Sequence, residues 1–157
     1  ENNLYSSHLH ITERRPINNI YEHGIIHGVK SFSVDGQDAI SLYALTKKLI
    51  PLLKGSKGPA LIEAHTYRFR GHVGAIDAYA DQHTTDIRDP KEIKSWLARD
   101  PITIFESMVT KHHLLPPSLL STIKSAAIKE ADAAYQFAKS SPYPSSRSLS
   151  SYVFTKT

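Results

Sequence analysis

The sequence predicts an α/β fold, a parallel sheet flanked by helices with further helices toward the C-terminus. Three observations carry that prediction. Residues 30–34 alternate Phe32 and Val34 with Ser31 and Ser33, the pattern of a strand with one face toward a core. Residues 60–67, Ala-Leu-Ile-Glu-Ala-His-Thr-Tyr, have the length and apolar character of a largely buried strand. Between them, residues 37–53 place Ile40, Leu42, Tyr43, Leu45, Leu49, Ile50, Leu52 and Leu53 at a mostly helical rhythm. A strand, a turn, a helix and a strand in that order form the unit that joins parallel strands.

The remaining elements follow in order. Residues 4–15 are polar and mixed. Pro16 suits the first turn of a short helix running through Tyr21, with Gly24 as its C-terminal cap. Asp35-Gly36 marks a turn. Pro51 removes one helical hydrogen bond and is expected to kink the last turn, before Gly55 and Gly58-Pro59 close the helix. A polar loop occupies residues 68–88, and loops of that length inside compact domains are functional or disordered. Asp89-Pro90 opens a helix carrying Ile93, Trp96 and Leu97, with Asp as N-cap and Pro at the first helical position. Asp100-Pro101 repeats the device for Ile102, Ile104, Phe105 and Met108. After the Pro116-Pro117 break, residues 118–139 form a long helix with Leu119, Ile123, Ala127, Ala131, Ala134 and Phe137 along one side. Residues 1–139 read as part of one α/β domain, and residues 140–157 as a Ser- and Pro-rich tail.

Composition narrows the function classes. The 157 residues suffice for one core. The net charge is +4, but Lys and Arg are scattered, so no nucleic-acid footprint is present. The absence of cysteine excludes disulfides and thiolate chemistry and fits a reducing compartment. No apolar run reaches membrane-spanning length. The chain opens on polar Glu1-Asn2-Asn3 rather than a signal peptide, and without a starting Met, as a fragment or a processed chain would.

The residues richest in chemistry are Arg68-Phe69-Arg70-Gly71-His72, directly after the second strand. In open α/β sheets, ligands sit beyond the C-terminal ends of strands. Two guanidiniums there can bind phosphate or carboxylate in bidentate fashion, and His72 can move a proton near neutral pH. Composition alone favours a solvated basic loop. Asn2-Asn3 offers hard side-chain oxygens suited to Mg²⁺ or Ca²⁺, although an Asn pair commonly serves as a cap or turn. His8 and His10 share one side of an extended segment without a third zinc ligand nearby, and read as a surface strand. His112-His113 reads as a helix end, where a cationic ring suits the dipole. There is no phosphate-cradling glycine loop and no nucleophile elbow.

The order of short motifs is more specific than any one of them. Glu1-Asn2-Asn3-Leu4-Tyr5, Val34-Asp35-Gly36-Gln37-Asp38, Gly58-Pro59-Ala60-Leu61-Ile62-Glu63, Tyr67-Arg68 with Gly71-His72, Arg88, Asp100-Pro101-Ile102 and Ser141-Pro142-Tyr143-Pro144 run in sequence along nearly the whole chain. This series resembles the alpha subunits of thiamin-diphosphate-dependent 2-oxo-acid dehydrogenases, in their C-terminal half. The resemblance implies a partial thiamin-diphosphate-binding fold and the decarboxylation of a 2-oxo acid, pyruvate first among them. The acyl group would pass to a lipoyl-bearing acyltransferase. It implies thiamin diphosphate and Mg²⁺ as cofactors, with the Asn3 side chain and the Tyr5 carbonyl as metal ligands. Arg68 and His72 would lie beside the cofactor, with His72 assisting proton movement. It further implies a heterotetramer of two alpha and two beta subunits, in bacterial cytoplasm or mitochondrial matrix.

Three departures from the family pattern stand out. The Gly-Asp-Gly half of the thiamin motif, whose Asp binds the metal, would lie upstream of Glu1, so the chain alone is expected to bind cofactor poorly and to be inactive. Val73 replaces the serine that many members carry after the histidine, which removes phosphorylation at that position. Residues 74–85 differ from the common Ser-rich loop, and Ile87 replaces a tyrosine before Arg88. Three other readings stay open. One is an acetoin-cleaving dehydrogenase alpha subunit. Another is a non-catalytic assembly module, a truncated remnant that only pairs with a partner chain. The third is a phosphate-binding domain using Arg68 and Arg70.

Overall fold

The computed structural model describes residues 1–55, 58–72, 88–149, 151 and 153. Val73, residues 74–85 and Ile87 lie outside them. The chain divides into two compact units, Glu1–His112 and His113–Thr157.

The first unit has the predicted α/β class. Strands β3 (Lys30–Asp35) and β4 (Ala60–His65) pair in parallel, Lys30 opposite Ala60 through Asp35 opposite His65. Helix α3 (Ala39–Lys54) joins them. Asp38 caps it by accepting from the Ile40 and Ser41 N–H groups, which hold the Asp38 carboxyl below its ordinary value together with the Ser41 hydroxyl. The helix runs through Pro51 and closes where the Gly55 N–H reaches the Pro51 carbonyl. Asn2 extends the sheet beyond β4, its N–H on the Ala64 carbonyl at 2.8 Å and its carbonyl accepting from Thr66 at 3.0 Å.

The N-terminal reading needs correction. Residues 4–15, which show no rhythm, form a hairpin, β1 (Tyr5–Ser6) with β2 (Leu9–His10), and a short helix α1 (Ile11–Arg14). The next helix, α2 (Tyr21–Ile26), begins where the predicted one ends. Pro16 stands outside it, and Gly24 is interior rather than a cap. A Cβ at Gly24 would stand 2.1 Å from the Ser31 hydroxyl, so glycine here permits close helix–sheet packing. Gly28, at φ +71°, supplies the left-handed residue after the helix.

The strand predicted as residues 60–67 ends at His65, and most of it is half-buried. Its fully buried residue is the acid Glu63, 3% exposed. One Glu63 oxygen accepts from the Asn2 amide at 2.6 Å, the other from the Tyr21 N–H at 2.8 Å. Burial opposes its charge, yet the Tyr21 N–H, the Asn2 amide, the Ile20 N–H and the nearby His65 outweigh burial and hold the carboxyl below its ordinary value. A negative charge also suits the N-terminus of α2.

Helices α4 (Pro90–Leu97) and α5 (Pro101–Lys111) start as predicted. Asp89 accepts from the Lys91 N–H, and Asp100 from Ile102 and Thr103. His112 caps the end of α5. Ile11, Leu49, Tyr67, Ile93 and Val109 form the core. In the second unit, α6 (Pro117–Ser140) is a single helix without a buried residue, followed by a short 3₁₀ turn, Ser146–Ser148.

Glu63→Gln leaves a donor to its carboxylate facing an NH₂ group. The expected cost is about 1–3 kcal/mol in denaturant unfolding at neutral pH. Because the folded-state value is lowered, the contribution is full above the ordinary glutamate value of about 4.3 and fades as pH falls through the folded one. Variant and wild type therefore converge in acid.

Candidate functional site

The hairpin β1–β2 organises the site. Asn2 and Asn3 each turn a side-chain oxygen onto the N–H two residues ahead, Leu4 at 3.1 Å and Tyr5 at 3.0 Å. Leu4 is thereby held at φ +69°, the left-handed region, at a cost of about 1–2 kcal/mol for a residue with a Cβ.

The ladder orients Tyr5. The Ile11 N–H donates to the Leu4 carbonyl at 2.7 Å, which makes Leu4–Ile11 a hydrogen-bonded pair. Antiparallel pairs alternate, so Tyr5–His10 is the other kind. The N–H and carbonyl of Tyr5 both face away from His10, toward the side where the Asn3 oxygen receives that N–H. An amide oxygen has two lone pairs, and this bond uses one. Asn3 and Tyr5 thus present two hard oxygens on one side of a turn, the donor type that Mg²⁺ takes. Among the described residues no group of three His, Asp or Glu could hold a metal by itself.

The hairpin tip holds the basic residues. The Arg68 Nη2 donates to the Ser7 carbonyl at 3.2 Å and its Nε to the Arg70 carbonyl at 3.1 Å. Its Nη1 lies 3.3 Å from His72 Nδ1, while His72 Nε2 lies 3.2 Å from the Ser7 hydroxyl. A guanidinium only donates, so Nδ1 accepts, and the neutral His72 ring carries its proton on Nε2. The ring is exposed, with His8 edge-on at 6.3 Å.

Behind the tip lies Arg88, 5% exposed. Its Nη2 donates to the Arg70 carbonyl at 3.0 Å and its Nη1 to the Arg68 carbonyl. Its guanidinium packs over the rings of Tyr67 at 5.2 Å and Tyr5 at 5.9 Å. Tyr67 stacks on Trp96 at 5.2 Å. The hydroxyls of Tyr5 and Tyr67 both donate to Glu92 Oε2, at 2.5 and 3.1 Å. Burial, with the Glu92 charge beside it, pushes the Tyr67 hydroxyl well above its usual value, so it stays a neutral donor.

Of the residues singled out from sequence, Arg68 and His72 are gathered on Ser7 at the hairpin tip, and Asn3 and Tyr5 belong to its base. His10 instead caps α1, accepting from the Thr12 N–H. Sequence reasoning gave no role to Ser7 or Glu92, and knew Glu63 and Arg88 only as parts of motifs. An acid inside the apolar run Ala60-Leu61-Ile62-Glu63-Ala64 was the available signal for a buried carboxylate. Ser7 and Glu92 are brought in by tertiary contacts and carry no such mark.

A family model described as the dehydrogenase E1 component matches residues 1–147. The chain is 34% identical to the pyruvate dehydrogenase E1 component subunit alpha-3, chloroplastic, of Oryza sativa subsp. japonica, over 99% of the chain and 35% of that relative. It is 30% identical to the pyruvate dehydrogenase E1 component subunit alpha of Porphyra purpurea, over 98% of the chain and 43% of the relative. Identity to the Rickettsia conorii protein of the same name is 25%, over 98% of the chain and 45% of the relative. The chain thus spans between about a third and a half of the length of these relatives.

Arg88→Lys keeps the charge but loses the two-pronged grip on the Arg68 and Arg70 carbonyls. Local opening there should become easier by about 1–2 kcal/mol, giving roughly tenfold faster trypsin cleavage after Arg68 and Arg70. Unchanged cleavage would show that Arg88 does not hold this segment.

Proposed function

The chain belongs to the dehydrogenase E1 component family, and from that premise we propose that it forms part of the alpha subunit of a thiamin-diphosphate-dependent 2-oxo-acid dehydrogenase. The proposed reaction decarboxylates a 2-oxo acid, pyruvate first, as the names of the relatives indicate, and passes the acyl group to a lipoyl-bearing acyltransferase. The proposed assembly pairs two such alpha subunits with two beta subunits. Among the described residues no helix is long and apolar enough to cross a membrane. The proposed compartment is a reducing one, bacterial cytoplasm or mitochondrial matrix.

One observation carries this reading. A single hairpin presents the Asn3 and Tyr5 oxygens at its base and anchors Arg68 and His72 at its tip. In the proposal, Asn3 Oδ1 and the Tyr5 carbonyl would hold Mg²⁺, whose charge would offset that of the cofactor's diphosphate; these neutral ligands would need an anionic one from elsewhere in the enzyme. Thiamin diphosphate, the cofactor the family implies, supplies the electron sink for decarboxylation when bound. Arg68 holds the His72 ring so that its proton sits on Nε2. His72 would assist proton movement through its Nε2–H as the acyl group passes to lipoyl, with the Ser7 hydroxyl as its resting partner.

In the assembled enzyme, His72→Ala should slow acyl transfer to lipoyl by about 10²-fold. Thiamin diphosphate affinity should change little. Equal losses in both would assign His72 to holding the structure rather than to moving a proton.

A further inference from the structure

We infer that Glu92, on α4, is a positioning residue for the metal turn, acting through the Tyr5 side chain. The inference rests on the reading that Asn3 and Tyr5 face Mg²⁺. A backbone carbonyl has no rotatable bond of its own, so its aim is set by the conformation of its residue. At Tyr5 the N–H is fixed by the Asn3 oxygen at 3.0 Å. The preceding residue, Leu4, sits at φ +69°, a conformation that persists only when its surroundings over-determine it.

The Tyr5 side chain adds a restraint to that of the ladder. Its hydroxyl donates to Glu92 Oε2 at 2.5 Å, across 87 residues of sequence. Its ring meets His10 edge-on at 5.0 Å and lies beneath the Arg88 guanidinium at 5.9 Å. Glu92 is itself held, because the same oxygen accepts from Tyr67 at 3.1 Å, and Tyr67 is stacked on Trp96 one turn further along α4. Asp89 caps that helix, which fixes where Glu92 stands in its first turn. A carboxylate on a capped helix therefore helps to hold the direction of a carbonyl that the hairpin ladder sets in a strained turn. Partners of metal ligands commonly change metal affinity by tenfold or more when removed.

The test measures Mg²⁺-dependent thiamin diphosphate binding by calorimetry in the assembled enzyme, beside thermal unfolding of each variant. Asn3→Ala reports on the metal reading itself and should raise the Mg²⁺ needed for half-saturation. Glu92→Ala should raise it about tenfold. Glu92→Gln, which keeps an acceptor oxygen for the tyrosines, should recover most of the loss. Tyr5→Phe removes only the hydroxyl and should move the Mg²⁺ requirement in the same direction, so the question survives even if Glu92→Ala fails to fold. If Asn3→Ala raises the requirement while folded Glu92→Ala or Tyr5→Phe leaves it unchanged, Glu92 has no positioning role and the metal reading stands. If Asn3→Ala changes nothing, the metal reading fails and the inference falls with it. A loss of thermal stability in Glu92→Ala without a shift in Mg²⁺ dependence would likewise overturn it.

Discussion

An ionised carboxylate inside a sheet must be surrounded by donors, because an unpaired buried charge costs far more than a single domain can absorb. Glu63 meets that demand with three partners from two separate segments. The Asn2 amide comes from the N-terminal stretch, and the Tyr21 and Ile20 N–H groups come from the start of α2. Satisfying one charge therefore fixes two elements against β4. Asn2 is the more consequential, since its backbone also pairs beyond β4 and its own side-chain oxygen begins the turn that holds Asn3.

From this anchor the site follows by short steps. Two consecutive Asn turns force Leu4 into the left-handed region and set Tyr5 with its N–H and carbonyl on one side. The hairpin then brings Ser7 to a place where it meets both Arg68 and His72. Arg88 reaches the carbonyls of Arg68 and Arg70 from behind, and the aromatic group of Tyr5, Tyr67 and Trp96 fills the space between the hairpin and α4. Three buried polar residues, Asn2, Glu63 and Arg88, thus do the placing, while half-buried and exposed residues carry the proposed chemistry.

The α/β class was legible because its signals are local. Alternation in β3, helical spacing in α3 and the two Asp-Pro caps each lie within a few residues, and each element appears where those patterns stand. The N-terminal elements were not legible for equally physical reasons. The strands of the hairpin are two residues each, too short for a period. Pro16 mimics a helix start, but residues 16–20 are a non-helical connection and α2 opens at Tyr21 against Glu63. Gly24 mimics a cap, but serves a close contact with β3 that no sequence neighbour announces. In the site, His72, Arg68 and Asn3 stood out by residue type and motif order. Ser7 and Glu92 did not, since their importance lies in what folds against them.

The proposed function turns on the Asn3 side-chain oxygen and the Tyr5 carbonyl pointing together at the metal of a bound cofactor. The most direct measurement is a crystal structure of the assembled enzyme with Mg²⁺ and thiamin diphosphate. Both oxygens are expected in the coordination sphere, at about 2.0–2.1 Å from the metal. A metal coordinated without either of them would contradict the proposal.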